Sequence, residues 1–214
     1  MRKKFLAAAV LVAGMVTATP AVTAEAAPAV SVRSGMLIYV DETIITESKC
    51  TLGAVISPVK AITAGHCGEV GRSVYDNQGR KIGRISANRI TKGLDIAVIR
   101  LVPRARVAVD TINWRSGFFR GQVVTKRGVT TGFTRGVISD PTPKRRTANG
   151  ISFAPPFLVR HATVSVRANL RSAAGDSGAG IRDANGAIIG ILSSGSSERS
   201  TAFAPVKLLP QYLR

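Results

Sequence analysis

Three short stretches, Thr63-Ala-Gly-His-Cys67, Gly93-Leu-Asp-Ile-Ala-Val-Ile-Arg-Leu101 and Gly175-Asp-Ser-Gly178, present a histidine, an aspartate and a serine in that chain order. A serine hydroxyl is a poor nucleophile at its own pKa; it needs a base to take its proton, and the base needs a third group to orient it. Ser177 lies between Gly175 and Gly178, and glycine lets the backbone turn sharply and lets a carbonyl approach main-chain N–H groups. The N–H groups of Gly175 and Ser177 are therefore candidate donors to a developing oxyanion. His66 follows the apolar run 61–64 beside Cys67, a context that limits the wandering of a general base. Asp95 opens 95–99, a run apolar on both faces, where a carboxylate is costly unless paired. Orienting the second nitrogen of a histidine would satisfy it. Each motif has a plainer reading taken alone: a turn, a polar residue in a constrained turn, a strand-start carboxylate. Together they point to nucleophilic acyl transfer on peptide or ester bonds.

Two further residues bear on the chemistry. Asp176 precedes the serine, and a carboxylate turned inward there needs a cationic partner; Lys126 and Arg127 are the candidates. His161, between Arg160 and Ala162 in a strand-like run without glycine or cysteine, reads as structural.

The elements that must position these groups are short apolar runs cut by glycine, proline and polar turns. Segments 36–40, 53–56, 61–64, 81–86 and 95–101 read as strands of a first lobe, and 122–126, 136–139, 157–166, 179–182 and 187–193 as strands of a second. Segment 114–121 is the candidate connector. Residues 140–150, with Pro141, Pro143, the basic run 144–146 and Asn149-Gly150, read as a mobile segment, an exposed hairpin connection or a flexible tip. Only 205–213 carries a helical pattern, with Val206, Leu209 and Leu213 on one face and Pro210 shortening it.

Residues 1–26 read as a secretory signal peptide. Arg2, Lys3 and Lys4 precede an apolar run over 5–16, too short to span a bilayer, and Ala24-Glu-Ala26 supplies a small-x-small cleavage site. The chain carries a formal charge of +18; three basic residues and one acidic residue fall in that leader, so the rest keeps +16. Such a surface favours loose association with polyanions or anionic surfaces, and the scatter of its cations favours a solvated basic face over specific nucleic-acid recognition. In an exported chain the two cysteines, Cys50 and Cys67, form a disulfide. Two cysteines and two histidines at these spacings fit no usual zinc pattern, so neither a metal nor another cofactor is expected.

The chain resembles the chymotrypsin-like serine peptidases, and within them the secreted bacterial branch of the streptogrisins and α-lytic protease. Thr63-Ala-Gly-His-Cys67 with its upstream cysteine, Val124-Thr-Lys-Arg-Gly-Val-Thr-Thr-Gly132 and Gly175-Asp-Ser-Gly178 carry the likeness, from Cys50 to Val206. It implies two six-stranded antiparallel β-barrels with the site in the cleft between them, lobes over 27–117 and 118–214, and a short C-terminal helix. It also implies a monomeric, secreted serine endopeptidase with His66 as base, Asp95 as orienter and Ser177 as nucleophile. The Cys50–Cys67 bridge follows from it too. A basic residue, Lys126 or else Arg127, would pair Asp176. In Gly190-Ile-Leu-Ser-Ser-Gly195, Ser193 would support Asp95, while Ser194 and Gly195 would bond a protein or peptide substrate as an added strand.

The sequence departs from that family at several points. Ala179 stands where a second glycine is usual after the serine motif, and neither 171–174 nor 195–200 contains the cysteine that usually braces the specificity pocket. Arg171 falls near the pocket floor in place of an aspartate, which disfavours cleavage after Arg or Lys and leaves acidic or small side chains as the options. Residues 27–49 are too few for the long pro-region of many relatives, so folding and activation are expected to work differently.

Overall fold

Short β-branched and aliphatic runs, each ended by glycine, proline or a polar turn, give an all-β chain in this computed structural model, which describes residues 29–41, 47–151, 158–197 and 199–214. The expected leader, 1–26, and the start of the strand expected at 157 lie outside the described residues. The first half supplies β1 (Val30–Val32), β2 (Leu37–Asp41), β3 (Glu47–Thr51), β4 (Ala54–Ser57), β5 (Lys60–Thr63), β6 (Ser73–Tyr75), β7 (Lys81–Asn88), β8 (Ala97–Leu101) and β9 (Ala105–Val107). The second supplies β10 (Val123–Gly128), β11 (Gly132–Ile151), β12 (Leu158–Asn169), β13 (Gly180–Arg182), β14 (Ile188–Ser197) and β15 (Ser200–Pro205).

The second set closes into a six-stranded barrel in the order β10-β11-β12-β15-β14-β13. Val124, Ile138, Val166, Leu170, Ile181 and Phe203 fill it, each at most 1 % exposed. Burial of each such side chain stabilises the fold by about 1.5–3 kcal/mol.

The first set is a seven-stranded sheet, β3-β2-β6-β7-β8-β5-β4, and not the second closed six-stranded barrel expected from the resemblance. Its edge strands β3 and β4 are consecutive in sequence, but the backbone groups between them are engaged elsewhere. Leu52 N–H donates to Met36 O, Gly53 N–H to Ile62 O, and Thr51 N–H to Ser177 O at 2.8 Å. The end of β3 is thus spent on the serine loop of the other half. A separate parallel pair joins β1 to β9.

Two local expectations are corrected. Residues 140–150 are not a mobile connection but part of β11, which runs antiparallel to β12 as a long hairpin. Pro141 and Pro143 lie between Asp140 and Lys144, where the register shifts, so the ladder loses no N–H it needs. Arg146 and Lys144 hold Asp140 there at 2.6 and 3.4 Å. At the C-terminus, two 3-10 turns, Val206–Leu208 and Gln211–Leu213, replace the expected helix. Leu209, before Pro210, is extended (φ −68°, ψ 126°), as the proline ring requires. The connector 114–121 is pinned by this tail: Arg214 stacks on Trp114 at 4.7 Å and Lys207 on Phe118 at 4.8 Å. Among the described residues no helix is long and apolar enough to cross a membrane.

Candidate active site

The base candidate sits just past β5. The chain leaves the strand at Thr63 and makes a 3-10 turn over Gly65–Cys67, so His66 emerges from a tight turn at a strand end. Three ties hold that turn. Cys67 is disulfide-bonded to Cys50 on β3. The Asn88 amide donates to Gly65 O at 2.7 Å and to Gly68 O at 2.8 Å. Asp95 accepts from the His66 backbone N–H at 2.8 Å.

Asp95 lies outside the strand expected for it, because the left-handed Gly93 (φ 81°) after the 3-10 turn Ile90–Lys92 delays β8 to Ala97. Its buried carboxylate receives the backbone N–H of His66 on one oxygen, and His66 Nδ1 (2.8 Å) and the Ser193 hydroxyl on the other. Gly65 makes this approach feasible, since a β-carbon there would stand 3.0 Å from Asp95 Oδ1 and 2.8 Å from Asn88 Oδ1. Burial alone would raise the Asp95 pKa, but the charge and hydrogen bond of His66, with the Ser193 hydroxyl, hold it below its ordinary value. Burial likewise would lower that of His66, yet the Asp95 charge and hydrogen bond outweigh this and raise it. With Nδ1 taken by Asp95, Nε2 is the ring nitrogen left for a nucleophile.

Ser177 is half-buried on the loop between β12 and β13. Its carbonyl accepts from Thr51 N–H, and the next residue, Gly178 (φ 88°), packs so closely on Thr63 and Ala64 that no side chain would fit. These contacts set Ser177 beside the His66 turn. Among the described residues its hydroxyl makes no hydrogen bond; catalytic hydrogen bonds commonly tighten only when substrate binds.

Neither Gly175 N–H nor Ser177 N–H donates a hydrogen bond to another described residue, although the carbonyls of both peptide groups are fixed. Ala174 O accepts from the Thr130 hydroxyl at 2.7 Å, and Asp176 O from Ala179 N–H at 2.9 Å. In a trans peptide the carbonyl and the N–H point opposite ways, so holding each carbonyl aims each N–H. Gly175 O itself accepts from the Thr51 hydroxyl at 2.8 Å.

Under this loop lies an ion pair with both side chains fully buried, Lys126 Nζ to Asp176 Oδ2 at 3.0 Å. Asp176 also accepts from the N–H groups of Thr130, Thr131 and Ala173 and from the Thr131 hydroxyl. Burial pushes its pKa up, but the Thr131 hydroxyl, the Thr130 N–H and Lys126 hold it low. Burial lowers that of Lys126, only partly offset by Asp176. Arg127 is exposed and packs along Gly35.

Ser194 and Gly195 pair with Ala202 and Thr201 of β15. On the other side the last rungs of β14 are Leu192 N–H to Ala179 O and Gly178 N–H to Leu192 O, both 2.8 Å, so the edge beyond Leu192 is free there. His161 lies on β12 opposite Ala148, remote in register from the triad candidates. Cys50, His66 and Cys67 bring potential ligand atoms within 4.8 Å of one another, but the disulfide consumes both sulfurs and leaves no metal donor set there. Thr51, Thr130 and Asn88 are the site residues that sequence reasoning missed. The only local signal was the adjacency of Thr51 to Cys50 and of Thr130 to the Lys126 motif.

Residues 29–210 match the family described as Trypsin. No curated protein matches the sequence. Among solved structures, protease A of Thermobifida fusca superposes with a TM-score of 0.63 at 21 % identity, covering 85 % of this chain and 95 % of that one. A Nocardiopsis protease gives 0.62 at 23 % identity, over 86 % and 96 %. The Cellulomonas bogoriensis chymotrypsin gives 0.60 at 24 % identity, over 85 % and 95 %. At these identities the likeness speaks for the fold alone.

Proposed function

The chain belongs to the trypsin family and is a serine endopeptidase, and from that premise we propose that Ser177, His66 and Asp95 form its catalytic triad. His66 Nε2 removes the Ser177 proton as Oγ attacks the scissile carbonyl. The carbonyl oxygen becomes an oxyanion received by the N–H groups of Gly175 and Ser177. His66 then gives its proton to the leaving amine, the C–N bond breaks, and an ester to Ser177 remains. Water repeats the sequence from the other side: His66 takes its proton, its oxygen attacks the ester, and Ser177 leaves with the proton returned. Asp95 stays ionised and stabilises the imidazolium of both steps.

The observation that carries this reading is a histidine with only Nε2 unengaged, on a turn packed beside a loop with two aimed, unpartnered N–H groups. Ser193 supports Asp95, and the free edge at Ser194 and Gly195 takes the peptide substrate as an antiparallel strand. Residues 27–117 and 118–214 are the two lobes, and residues 1–26 direct export, in keeping with a disulfide that suits an oxidising compartment. The enzyme works as a monomer without cofactor. A peptide phosphonate, which forms a stable adduct with an activated serine, is expected to label Ser177 in the wild-type protein and to leave Ser177→Ala unmodified. A folded wild-type protein that stays unlabelled while a control peptidase reacts would refute the triad.

A second reading has one specific observation behind it. Lys60, Arg100 and Arg84 stand directly opposite one another on β5, β8 and β7, three like charges in register, of which Lys60 donates to Arg214 O at 2.9 Å and Arg84 to Gly71 O at 3.2 Å. Such a row is unfavourable unless an anion covers it. It fits a catalytically inactive chain that binds polyanions; retention on a sulfated matrix unaffected by Ser177→Ala, with no peptide cleaved, would select it.

A further inference from the structure

Resting on the acyl-transfer reading, we propose that this enzyme takes only small side chains, those of glycine, alanine or serine, on the acyl side of the bond it cleaves. Ser172 and Thr201 close the space that a larger one would need.

The substrate pose fixes where that side chain goes. A peptide whose carbonyl carbon meets Ser177 Oγ, whose oxygen meets the N–H groups of Gly175 and Ser177, and whose backbone follows the free edge of β14 has one direction left for its side chain. It enters between Ser193–Gly195 on one wall and Leu170–Ala174 on the other. In the structure these walls touch. They meet at Gly195, where a β-carbon would stand 2.3 Å from the Ser172 hydroxyl, so a substrate side chain has only the space in front of this contact. Thr201, the ladder partner of Gly195, is fully buried behind this contact. Its hydroxyl donates to Leu170 O at 2.5 Å, so the 2.7 Å bond between Ser172 and Thr201 has Ser172 as donor. A chain of two hydroxyls thus ties the 170–174 wall to β15 at the back of the gap.

A long or aromatic side chain entering there would part this chain and leave buried hydroxyl and carbonyl groups unpaired, which a binding site penalises heavily. An acidic side chain would need a cation or free donors at the closed end. Lys126 is committed to Asp176 and Thr131, Arg171 is exposed, and the Thr201 hydroxyl is already donated. Of the acidic and small side chains that the sequence leaves open, the structure favours the small.

The test is a series of otherwise identical peptides carrying Ala, Phe, Glu or Arg at this position, compared by kcat/KM on the wild type and on Ser172→Gly and Thr201→Gly. The wild type is expected to prefer Ala over each of the others by about 100-fold. Each variant is expected to raise Phe relative to Ala by about tenfold. Ser172 is only half-buried, so Ser172→Gly opens the gap without touching the core should Thr201→Gly fail to fold. Faster cleavage after Phe, Glu or Arg than after Ala, or an unchanged Phe-to-Ala ratio in the folded variants, would overturn the inference. If Ser177 is still labelled by a phosphonate in that case, only the inference falls. If nothing is cleaved and Ser177 is not labelled, the triad falls with it.

Discussion

The two halves of the site are held in different ways. On the seven-stranded sheet, His66 is fixed by short-range and strong restraints: a disulfide at the next residue, an asparagine clamp on its turn, and one carboxylate that grips both its backbone and its ring. On the six-stranded barrel, Ser177 sits on a loop whose shape is set by a buried ion pair and a set of threonine hydroxyls drawn from β3 and the β10–β11 turn. The base side is rigid by covalency and charge, whereas the nucleophile side is rigid by the satisfaction of buried polar groups. Damage to the His66–Asp95 contact of the first should therefore register in the rate with little loss of folding. Damage to the second should register in both.

The largest expected effect tests the first half of that contrast. Asp95→Asn keeps the shape but offers His66 an amide that can hold the wrong tautomer, so kcat is expected to fall about 10⁴-fold, the loss typical of this triad, while the thermal midpoint changes little. Pre-steady-state kinetics and calorimetry on the same preparation check it. A variant that unfolds instead would show that Asp95 is as much a structural anchor as Asp176.

Lys126→Met tests the other half. Removing one member of a fully buried pair leaves Asp176 charged and unpaired, which costs about 3–5 kcal/mol. The aspartate is then driven to protonate or to turn outward, taking the 175–177 loop with it. Denaturant unfolding and kcat/KM are expected to fall together. Loss of activity with full stability would break the contrast, because the pair would then act on the chemistry alone.

Thr130→Val gives a finer cut. The threonine is exposed, and its hydroxyl holds the Ala174 carbonyl that aims Gly175 N–H. Losing one oxyanion donor from its proper direction is expected to lower kcat by about 10- to 100-fold with KM nearly unchanged, and Thr130→Ser is expected to restore it. A merely structural role would move the unfolding midpoint and leave the ratio of kcat to KM alone.

How much of this was readable in the sequence follows the same division. His66, Asp95 and Ser177 stand in local patterns that their proposed chemistry demands, and the all-β class follows from short apolar runs between turns. The threonines do not announce themselves, because their partners are distant: Thr51 meets Gly175 across 124 residues and Thr130 meets Ala174 across 44. No local period encodes such a bond. The hairpin β11–β12 is hidden for a related reason. Pro141, Pro143 and the basic run look like a loop, and only the pairing of Lys144 to Ser165 and Arg145 to Val164 shows the ladder resuming beyond them. The open first sheet was hidden as well, since nothing near Thr51 says that its N–H belongs to Ser177.

The smallest effect is a pH shift, and it separates the two sides by sign. His66 has its pKa raised by Asp95, against burial, so the neutral base appears only at a pH above the ordinary imidazole range. The acid limb of kcat/KM is therefore expected to have its midpoint above that of a free histidine. The attraction behind the shift stabilises the fold fully below the unfolded histidine pKa, and this contribution is lost as pH rises through the folded value. Asp176 behaves oppositely: its pKa is held low, so its contribution is present above the ordinary carboxylate range and is lost as pH falls through the folded value. An NMR titration of His66 in Ser177→Ala, repeated in Ser177→Ala with Asp95→Asn, should show the midpoint fall in the second protein. An unchanged midpoint would mean that something other than Asp95 sets the base, and the division between a charge-held base and a hydrogen-bond-held nucleophile would have to be redrawn.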